Sequence, residues 1–396
     1  MSNLFRLPVS VLLASGLWLC ASLSGQTPSS SQPAQDTSQQ QQKPADNTDS
    51  TAGPATDNGP IVIKKKKEAA EPPPPAPAEP KIKNPNNETY SLRVDVPMVN
   101  LDVNVILDKT HQFVPGLKAG NFKVLEDGVP QTITSVRLTQ TPITAVMLLE
   151  FAANGYWYYK ANDMLNASAS FYNTLRPDDY IAVVTYDLKT RVLTDFTNNK
   201  QIVAEAISSL MIPGFSDTNL FDALYETLDR VSRIDGRKYI VLIGSGRDTF
   251  SKITLDKMLA KIKATPDVTI FTIGTGALLN ELSQSRGMGG GLREMDFLQA
   301  QNQMKTFAQM TGGLSFYPIF QGELRDDFAQ INNSIRNQYV LTYRPTNDRN
   351  DGSYRRIKVT LVDPEGKPLQ IVDEKHKPQK YSVIARDGYR AKLPVE

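Results

Sequence analysis

The chain has 396 residues, 40% of them hydrophobic and 22% charged, so it is long enough to bury a core and to form two domains. Lys and Arg number 44 against 42 Asp and Glu, and a formal net charge of +2 excludes a strong overall field that would attract nucleic acid or membrane. The only cysteine is Cys20. It lies in the segment that we predict to be removed, so the mature chain is expected to have no disulfide and no cysteine chemistry.

An N-terminal secretory signal is predicted over residues 1–25. Leu7 to Leu19 form an apolar run after a basic residue, and small serines follow at the positions that precede a peptidase cut. The run is short for a membrane span. The alternative is a lipid anchor on Cys20, although Leu19 stands where lipoprotein signals have a small residue. With either reading we expect a secreted, periplasmic or cell-surface protein.

Residues 26–88 are rich in Ser, Gln, Pro, Asp and Thr. Such a segment buries too little apolar area to offset its ordering entropy, so we predict a disordered spacer. Lys64 to Lys67 form a basic run that we interpret as a solvated stretch. Apart from an anchor on Cys20, this run is the one feature with which we would expect the chain to contact a membrane.

Residues 89–140 are predicted to form the first part of a β-sandwich. Apolar residues alternate with polar ones up to Leu107, which is the period of a half-buried strand. Asp127-Gly128 then separates two short strands and is a strong hairpin signal. These strands are too few to close a core, so we expect their partners elsewhere in the chain.

Residues 141–337 alternate strands with helical periods, which predicts βαβ units and a mostly parallel sheet. The apolar run from Ala145 to Leu149 is typical of a central strand buried on both faces. Ligands bind beyond the carboxyl ends of such strands, so Glu150 marks the place of a candidate site, and we expect a pocket there that is open to a partner. The later predicted strands are Tyr180–Tyr186, Arg191–Phe196, Lys238–Gly244, Val268–Gly274 and Phe316–Ile319. The predicted helices are Tyr159–Leu175, Gln201–Leu210, Leu220–Val231, Leu255–Ala264, Leu298–Met310 and Leu324–Arg336.

Residues 338–396 return to strand patterns, at Gln338–Tyr343, Arg356–Val362 and Pro368–Val372. We expect them to pair with the strands of residues 89–140. The fold class that follows is α/β: a doubly wound, mostly parallel sheet inserted into a small β-sandwich.

Several motifs follow one another in order along residues 141–337 and their flanks: Thr144 to Glu150, Pro177 to Tyr186, Ser216 to Leu224, Tyr239 to Ile243 and Ile270 to Gly276, with Leu117 to Gly128 before them and Arg336 to Pro345 after them. This order resembles the von Willebrand factor type A domain. The flanking motifs are similar to those of secreted proteins related to this domain in acidobacteria. The resemblance runs from about Pro97 to Tyr389.

The resemblance implies a Mg²⁺ or Mn²⁺ site made by an Asp-x-Ser-x-Ser motif, a later Thr and a second Asp. The sequence departs from that pattern. Glu150 takes the first acidic position, Ala152 replaces the first serine, and Asn154 takes the position of the second. Thr218 matches the family threonine, and Ser245 stands at the second aspartate.

Asp248 and Asp217 are the nearest carboxylates that could substitute as ligands. Because divalent affinity depends on ligand charge, we expect a degenerate metal site without tight Mg²⁺ binding, and weak Ca²⁺ is an equal alternative. Without an ion, Glu150 is expected to accept hydrogen bonds from backbone amides or a hydroxyl.

No catalytic constellation accompanies this site. The chain has two histidines, both in predicted loops, and Gly244-Ser-Gly246 lacks the spacing of a nucleophile elbow. We therefore expect a binding protein and not an enzyme, with a protein or matrix ligand and no nucleic acid. Tyr156 and Trp157, beside the site, are candidate contact residues, as is Asp217. The alternative is a metal-independent structural or assembly protein of the cell envelope.

Overall fold

The structure is a computed structural model, and it describes residues 98–139, 141–153, 168–169, 171–210, 213–276, 291–320 and 322–393. The predictions for residues 1–88, including the signal peptide and the spacer, lie outside these ranges. So do Asn154, Tyr156 and Trp157 of the candidate site. The described residues all fall within one compact unit that spans Thr89–Glu396.

The elements of the described part follow the chain in this order. The strands are β1 (Val99–Leu107), β2 (Phe122–Glu126), β3 (Val129–Gln131), β4 (Ile133–Leu138), β5 (Thr144–Glu150), β6 (Tyr180–Tyr186), β7 (Thr190–Thr197), β8 (Lys238–Gly244), β9 (Val268–Gly274), β10 (Ser315–Phe316), β11 (Tyr339–Tyr343), β12 (Tyr354–Leu361), β13 (Ile371–Val372), β14 (Pro378–Gln379), β15 (Tyr381–Ala385) and β16 (Gly388–Arg390). The helices are α1 (Lys200–Ser208), α2 (Leu220–Val231), α3 (Leu255–Ala264), α4 (Gly291–Thr311) and α5 (Glu323–Arg336). Residues 168–169 and 171–173 are also helical, and Ala119–Asn121 form a 3-10 turn.

The central sheet has six strands in the order β10-β9-β8-β5-β6-β7. All neighbours are parallel except β7, which is antiparallel to β6. Strand β5 is therefore inside the sheet, and its carboxyl end lies beside that of β8, with Leu149 opposite Ile243. The predicted doubly wound, mostly parallel sheet is confirmed.

Alternate residues of the central strands face two separate cores, because successive side chains of a strand point to opposite faces. Met147 and Val241 pack with α1 and α5 on one face, while Leu148 and Leu242 pack with α2, α3 and α4 on the other. This double coverage explains the uninterrupted apolar runs that the sequence shows in β5 and β8.

Two antiparallel four-stranded sheets complete the fold. Their orders are β15-β1-β11-β4 and β16-β12-β2-β3, so each sheet takes strands from both sides of the α/β region. They share one core, in which Val103 and Val124 from before the α/β region pack with Leu341 and Ile357 from after it. The early strands thus obtain the partners that their own segment lacks.

Strands β2 and β3 form a hairpin whose turn is Asp127-Gly128. Both turn residues have positive φ, +48° for Asp127 and +86° for Gly128. A turn with two such residues matches the right-handed twist of the flanking strands.

Some elements differ from the sequence expectation in extent. The edge strand predicted at Phe316–Ile319 is Ser315–Phe316, since Pro318 has no N–H with which to continue the ladder. The strand predicted at Pro368–Val372 is reduced to Ile371–Val372, which pairs with β14. Helix α4 begins before the predicted Leu298. Among the helices of the described part, none combines the length and apolarity that crossing a bilayer requires.

Candidate functional site

The candidate site lies at the carboxyl end of the central sheet, where β5 and β8 end side by side. Glu150 is the last residue of β5, and Ser245 immediately follows β8. Both residues are 3% exposed. The two positions that the resemblance associates with metal binding are therefore neighbours, but they lie below the surface.

Ser245 binds both oxygens of the Glu150 carboxyl. Its backbone N–H donates to Oε2, and its hydroxyl donates to Oε1 at 3.1 Å. Burial raises the pKa of Glu150 above its ordinary value, whereas the hydrogen bonds from Ser245 and the charge of Arg247 act in the opposite direction. The carboxyl is thus bound to the chain itself instead of being presented to solvent.

Gly244 leaves the space in which this carboxyl lies. A Cβ at this position would be 2.5 Å from Tyr186 Oη and 2.6 Å from Glu150 Oε2, so a side chain here would displace both groups. Tyr186 Oη is buried and has no hydrogen-bond partner among the described residues. Burial raises the pKa of Tyr186 well above its ordinary value, and the charges of Glu150 and Asp248 raise it further.

Thr218 connects the loop before α2 to the loop after β8. Its hydroxyl donates to the carbonyl oxygen of Arg247 at 2.7 Å, and its own carbonyl accepts from the N–H groups of Thr249 and Phe250, each at 3.0 Å. Thr218 is 3% exposed. Asp217 lies beside it and accepts from the Thr249 hydroxyl at 3.4 Å. Thr218 therefore joins two loops.

Asp248 caps helix α2 from the neighbouring loop. Its Oδ1 accepts from the backbone N–H of Phe221 at 3.1 Å and from the Ser251 hydroxyl at 2.5 Å. Asn219, at the N-cap position, makes no side-chain cap of its own. Burial raises the pKa of Asp248, although these hydrogen bonds oppose the shift. The residue supplies the acceptor that the first turn of a helix requires.

The described residues do not fit the divalent cation that the resemblance implies. A hard cation needs oxygen ligands, and Mg²⁺, which keeps several of its waters, is usually held by one or two carboxylates that are free to reach it. Here the oxygens of Glu150 and the hydroxyl of Thr218 are hydrogen-bonded within the chain, and Asp248 is a helix cap. Among the described residues no group of three or more His, Cys, Asp or Glu side chains is arranged to hold a metal ion.

The surface above these buried groups carries residues that the sequence reading did not select. Phe215 is 44% exposed and Phe250 is 69% exposed, and both belong to the loops that Thr218 joins. The N–H of Ala153 donates to the Phe215 carbonyl at 2.7 Å, so the loop after β5 is attached to the same assembly. The signal in the sequence that could have identified these residues is a single phenylalanine within each of two polar loops.

A cleft of about 390 Å³ lies next to these loops and is lined by residues of the loop after β8 and of α4, among them Arg247, Thr249 and Asp296. The Arg247 guanidinium approaches the Asp296 carboxyl to 3.9 Å. The end of the sheet thus presents exposed aromatic rings beside a polar cleft.

Residues 156–308 match the model of the von Willebrand factor type A domain. This range lies within the α/β region and contains strands β6 to β9 of its six-stranded sheet. The matched range begins after Glu150. Strand β5 and the altered metal-ligand positions at its carboxyl end therefore lie before the matched range. No curated protein matches the sequence.

Solved structures with similarity to the chain include proximal thread matrix protein 1 from the mussel byssus, with 12% identity, a TM-score of 0.38 and coverage of 51% of this chain and 49% of that one. The von Willebrand factor domain of the type V pili tip protein Mfa5 from Porphyromonas gingivalis has 13% identity and a TM-score of 0.37, covering 50% and 96%. A von Willebrand factor type A protein from Catenulispora acidiphila has 12% identity and a TM-score of 0.38, covering 72% and 76%. This chain spans about half the length of the mussel protein.

Proposed function

We propose that this protein is exported and binds a protein or matrix ligand with the carboxyl end of its von Willebrand factor type A domain. The contact is made by the exposed loops, without a cation at Glu150 and without catalysis. The flanking motifs favour a place among the secreted acidobacterial proteins related to this domain. The predicted spacer of residues 26–88 would hold the folded part away from an attachment point.

The observation that carries the proposal is the exposure of Phe215 and Phe250 on loops fixed by hydrogen bonds. Aromatic side chains, Phe included, bury a large apolar area and are enriched in protein interfaces. The two loops are held together through the backbone and hydroxyl of Thr218. A preorganised loop loses less entropy when a partner binds.

A binding function also agrees with the chemistry of the buried groups. Glu150 and Ser245 are hydrogen-bonded to each other, and the described part contains no histidine near them, because His111 and His376 lie in turns with positive φ outside the α/β region. Nucleophilic catalysis requires a base within hydrogen-bond reach of the nucleophile. The Glu150 carboxyl is within this reach of the Ser245 hydroxyl, at 3.1 Å, but both residues are 3% exposed, so neither is presented to a substrate.

The test is saturation binding of the labelled protein to the surface of the source cells and to their immobilised extracellular matrix. Changing Phe215→Ser together with Phe250→Ser is expected to weaken binding at least about tenfold, which is the loss of one or two aromatic contacts. Chelator is expected to have no effect.

The matched control changes two equally exposed apolar residues elsewhere, Ile202→Ser and Leu393→Ser, with exposures of 44% and 69%. This variant should bind like the unchanged protein. Equal binding by the Phe215/Phe250 variant, or loss of binding in chelator, would reject the proposed surface.

A further inference from the structure

A second, larger groove lies away from the candidate site. Its volume is about 990 Å³, and it is lined by the two sheet edges β10 and β15, by Asp327 and Gln330 of α5, and by Lys305 of α4. It is formed where the α/β region meets one sheet of the β-sandwich. The groove shares no lining residue with the cleft beside Arg247.

Both strands that line the groove are edge strands. Strand β10 is the outermost strand on its side of the six-stranded sheet, and β15 is outermost in the sheet β15-β1-β11-β4. An edge strand presents unpaired N–H and C=O groups, which are a template for another strand.

The hydrogen bonds of β1 show which groups of β15 are free. The Val105 carbonyl accepts from the Val114 N–H, so the backbone groups of Val105 point away from β15. The Asp108 N–H, in contrast, donates to the Lys380 carbonyl. Because backbone groups of successive strand residues point to opposite sides, Ser382 and Ile384 of β15 face β1. Val383 therefore directs its backbone groups outward, and among the described residues no backbone hydrogen bond to another element uses them. At Ala385 the strand is covered, because Gly312 packs against the backbone of Ala385 and Arg386.

Asp327 is an acidic residue of the groove that is buried with one carboxyl oxygen unpaired. It is 8% exposed, and its Oδ2 has no hydrogen-bond partner in the described part of the chain. Burial raises the pKa of its carboxyl to about 7, and the charges of Glu323 and Asp326 add to the shift. Burying a carboxylate without a donor is unfavourable, so the position is one that a cationic donor would stabilise.

Most of the charged side chains that line the groove are acidic. Asp108 and Asp387 line it as well, and Lys305 is the one lysine or arginine among its lining residues. A ligand with a positive side chain is therefore complementary to it.

We propose that this groove binds an extended peptide segment of another protein, which adds a strand to the free edge of β15 and places a lysine or arginine side chain against Asp327. Main-chain hydrogen bonds supply affinity in such strand addition, and pockets for alternate side chains supply specificity. The uncovered part of β15, Tyr381 to Ile384, gives a contact of about 13 Å. The inference does not depend on the function proposed for the end of the central sheet.

The experiment is calorimetric titration of the full chain with a blocked peptide of about eight residues in which Val and Lys alternate, a length typical of one strand. Saturable binding is expected. The same peptide with Glu in place of Lys should not bind, because it brings like charge to Asp327. The Lys peptide with N-methylated alternate amides keeps its charge but cannot pair with an edge, and it should bind at least about tenfold more weakly.

Two variants locate the contact. Asp327→Asn preserves the size of the side chain and removes a buried charge, so it is expected to fold and to bind the Lys peptide at least about tenfold more weakly. Asp326→Asn, an exposed neighbour on the same helix, should bind like the unchanged protein.

Equal binding of the Lys peptide by the Asp327→Asn protein would overturn the assignment of Asp327. Equal binding of the N-methylated peptide by the unchanged protein would overturn strand addition. Sedimentation of the free protein provides a further test: a dimer that the Lys peptide disperses would show that a second copy of the chain, and not another protein, occupies the groove.

Discussion

At Glu150 a carboxylate lies at the end of the central strand with almost no access to solvent. A buried charge is strongly unfavourable unless it is paired or hydrogen-bonded, and here the backbone and hydroxyl of Ser245 provide the donors. The glycine before Ser245 leaves room for the carboxyl. A residue that in the related pattern is a metal ligand is therefore used to fasten the ends of β5 and β8 together.

Replacing Glu150 by Ala is expected to lower the free energy of unfolding by about 1–3 kcal/mol, because the Ser245 N–H loses its acceptor in a buried position. Urea unfolding midpoints measure the change. The control is Glu226→Ala on the exposed side of α2, for which a change within about 0.5 kcal/mol is expected. Similar midpoints for the two variants would show that Glu150 does not stabilise this part of the fold.

Asp327 makes stability depend on pH. Its pKa is raised to about 7, so between its ordinary value of 3.8 and about 7 the folded protein holds a proton that the unfolded chain has released. The free energy of unfolding therefore falls as pH rises through this window. In Asp327→Asn the fall should be smaller by the contribution of this carboxyl, and the variant should melt at a higher temperature than the unchanged protein above pH 7.

Melting temperatures of the Asp327→Asn, Asp326→Asn and unchanged proteins across pH 4 to 8 test this expectation. The exposed Asp326 serves as the control, and its variant should retain most of the slope. If the Asp327→Asn protein shows the same slope as the unchanged protein, the carboxyl at position 327 is not the group that titrates.

Among the elements, those with strong local signals could be predicted from the sequence. The apolar runs of β5 and β8 indicate strands covered on both faces, and Asp127-Gly128 indicates the hairpin of β2 and β3. The ends of the elements were less predictable: the edge strand that was expected to reach Ile319 ends at Phe316, before Pro318. The hydrogen bonds between the loops could not be predicted from the sequence. Thr218 and Arg247 are 29 positions apart, and their pairing depends on how the two loops pack against each other.

The backbone conformation of the hairpin turn between β2 and β3 can be tested by substitution. Gly128→Ala should lower the free energy of unfolding by about 1 kcal/mol, since a side chain disfavours its φ of +86°. Gly120→Ala is the control, because Gly120 has open space around its Cβ position and no positive φ. Equal unfolding midpoints for the two variants would show that the backbone of the Asp127-Gly128 turn differs from the one described.

In the whole molecule, the α/β region stands between two groups of strands that pair with each other. This arrangement could be predicted, because neither group alone is large enough to close a core and both show the period of half-buried strands. The open pocket expected at Glu150 was not found, since Glu150 and Thr218 are both buried. The sequence shows that ligand atoms are altered, but it does not show that the remaining ones bind each other.

The end of the sheet is closed by its own hydrogen bonds, and we propose that it contacts its partner without a cation. Calorimetric titration of the chelator-treated protein with Mg²⁺ and with Ca²⁺ tests it most directly, with melting temperatures recorded on the same samples. We expect no saturable heat and no change in melting temperature with either ion. Saturable binding of either ion, with a rise in melting temperature that Thr218→Ala abolishes, would contradict it.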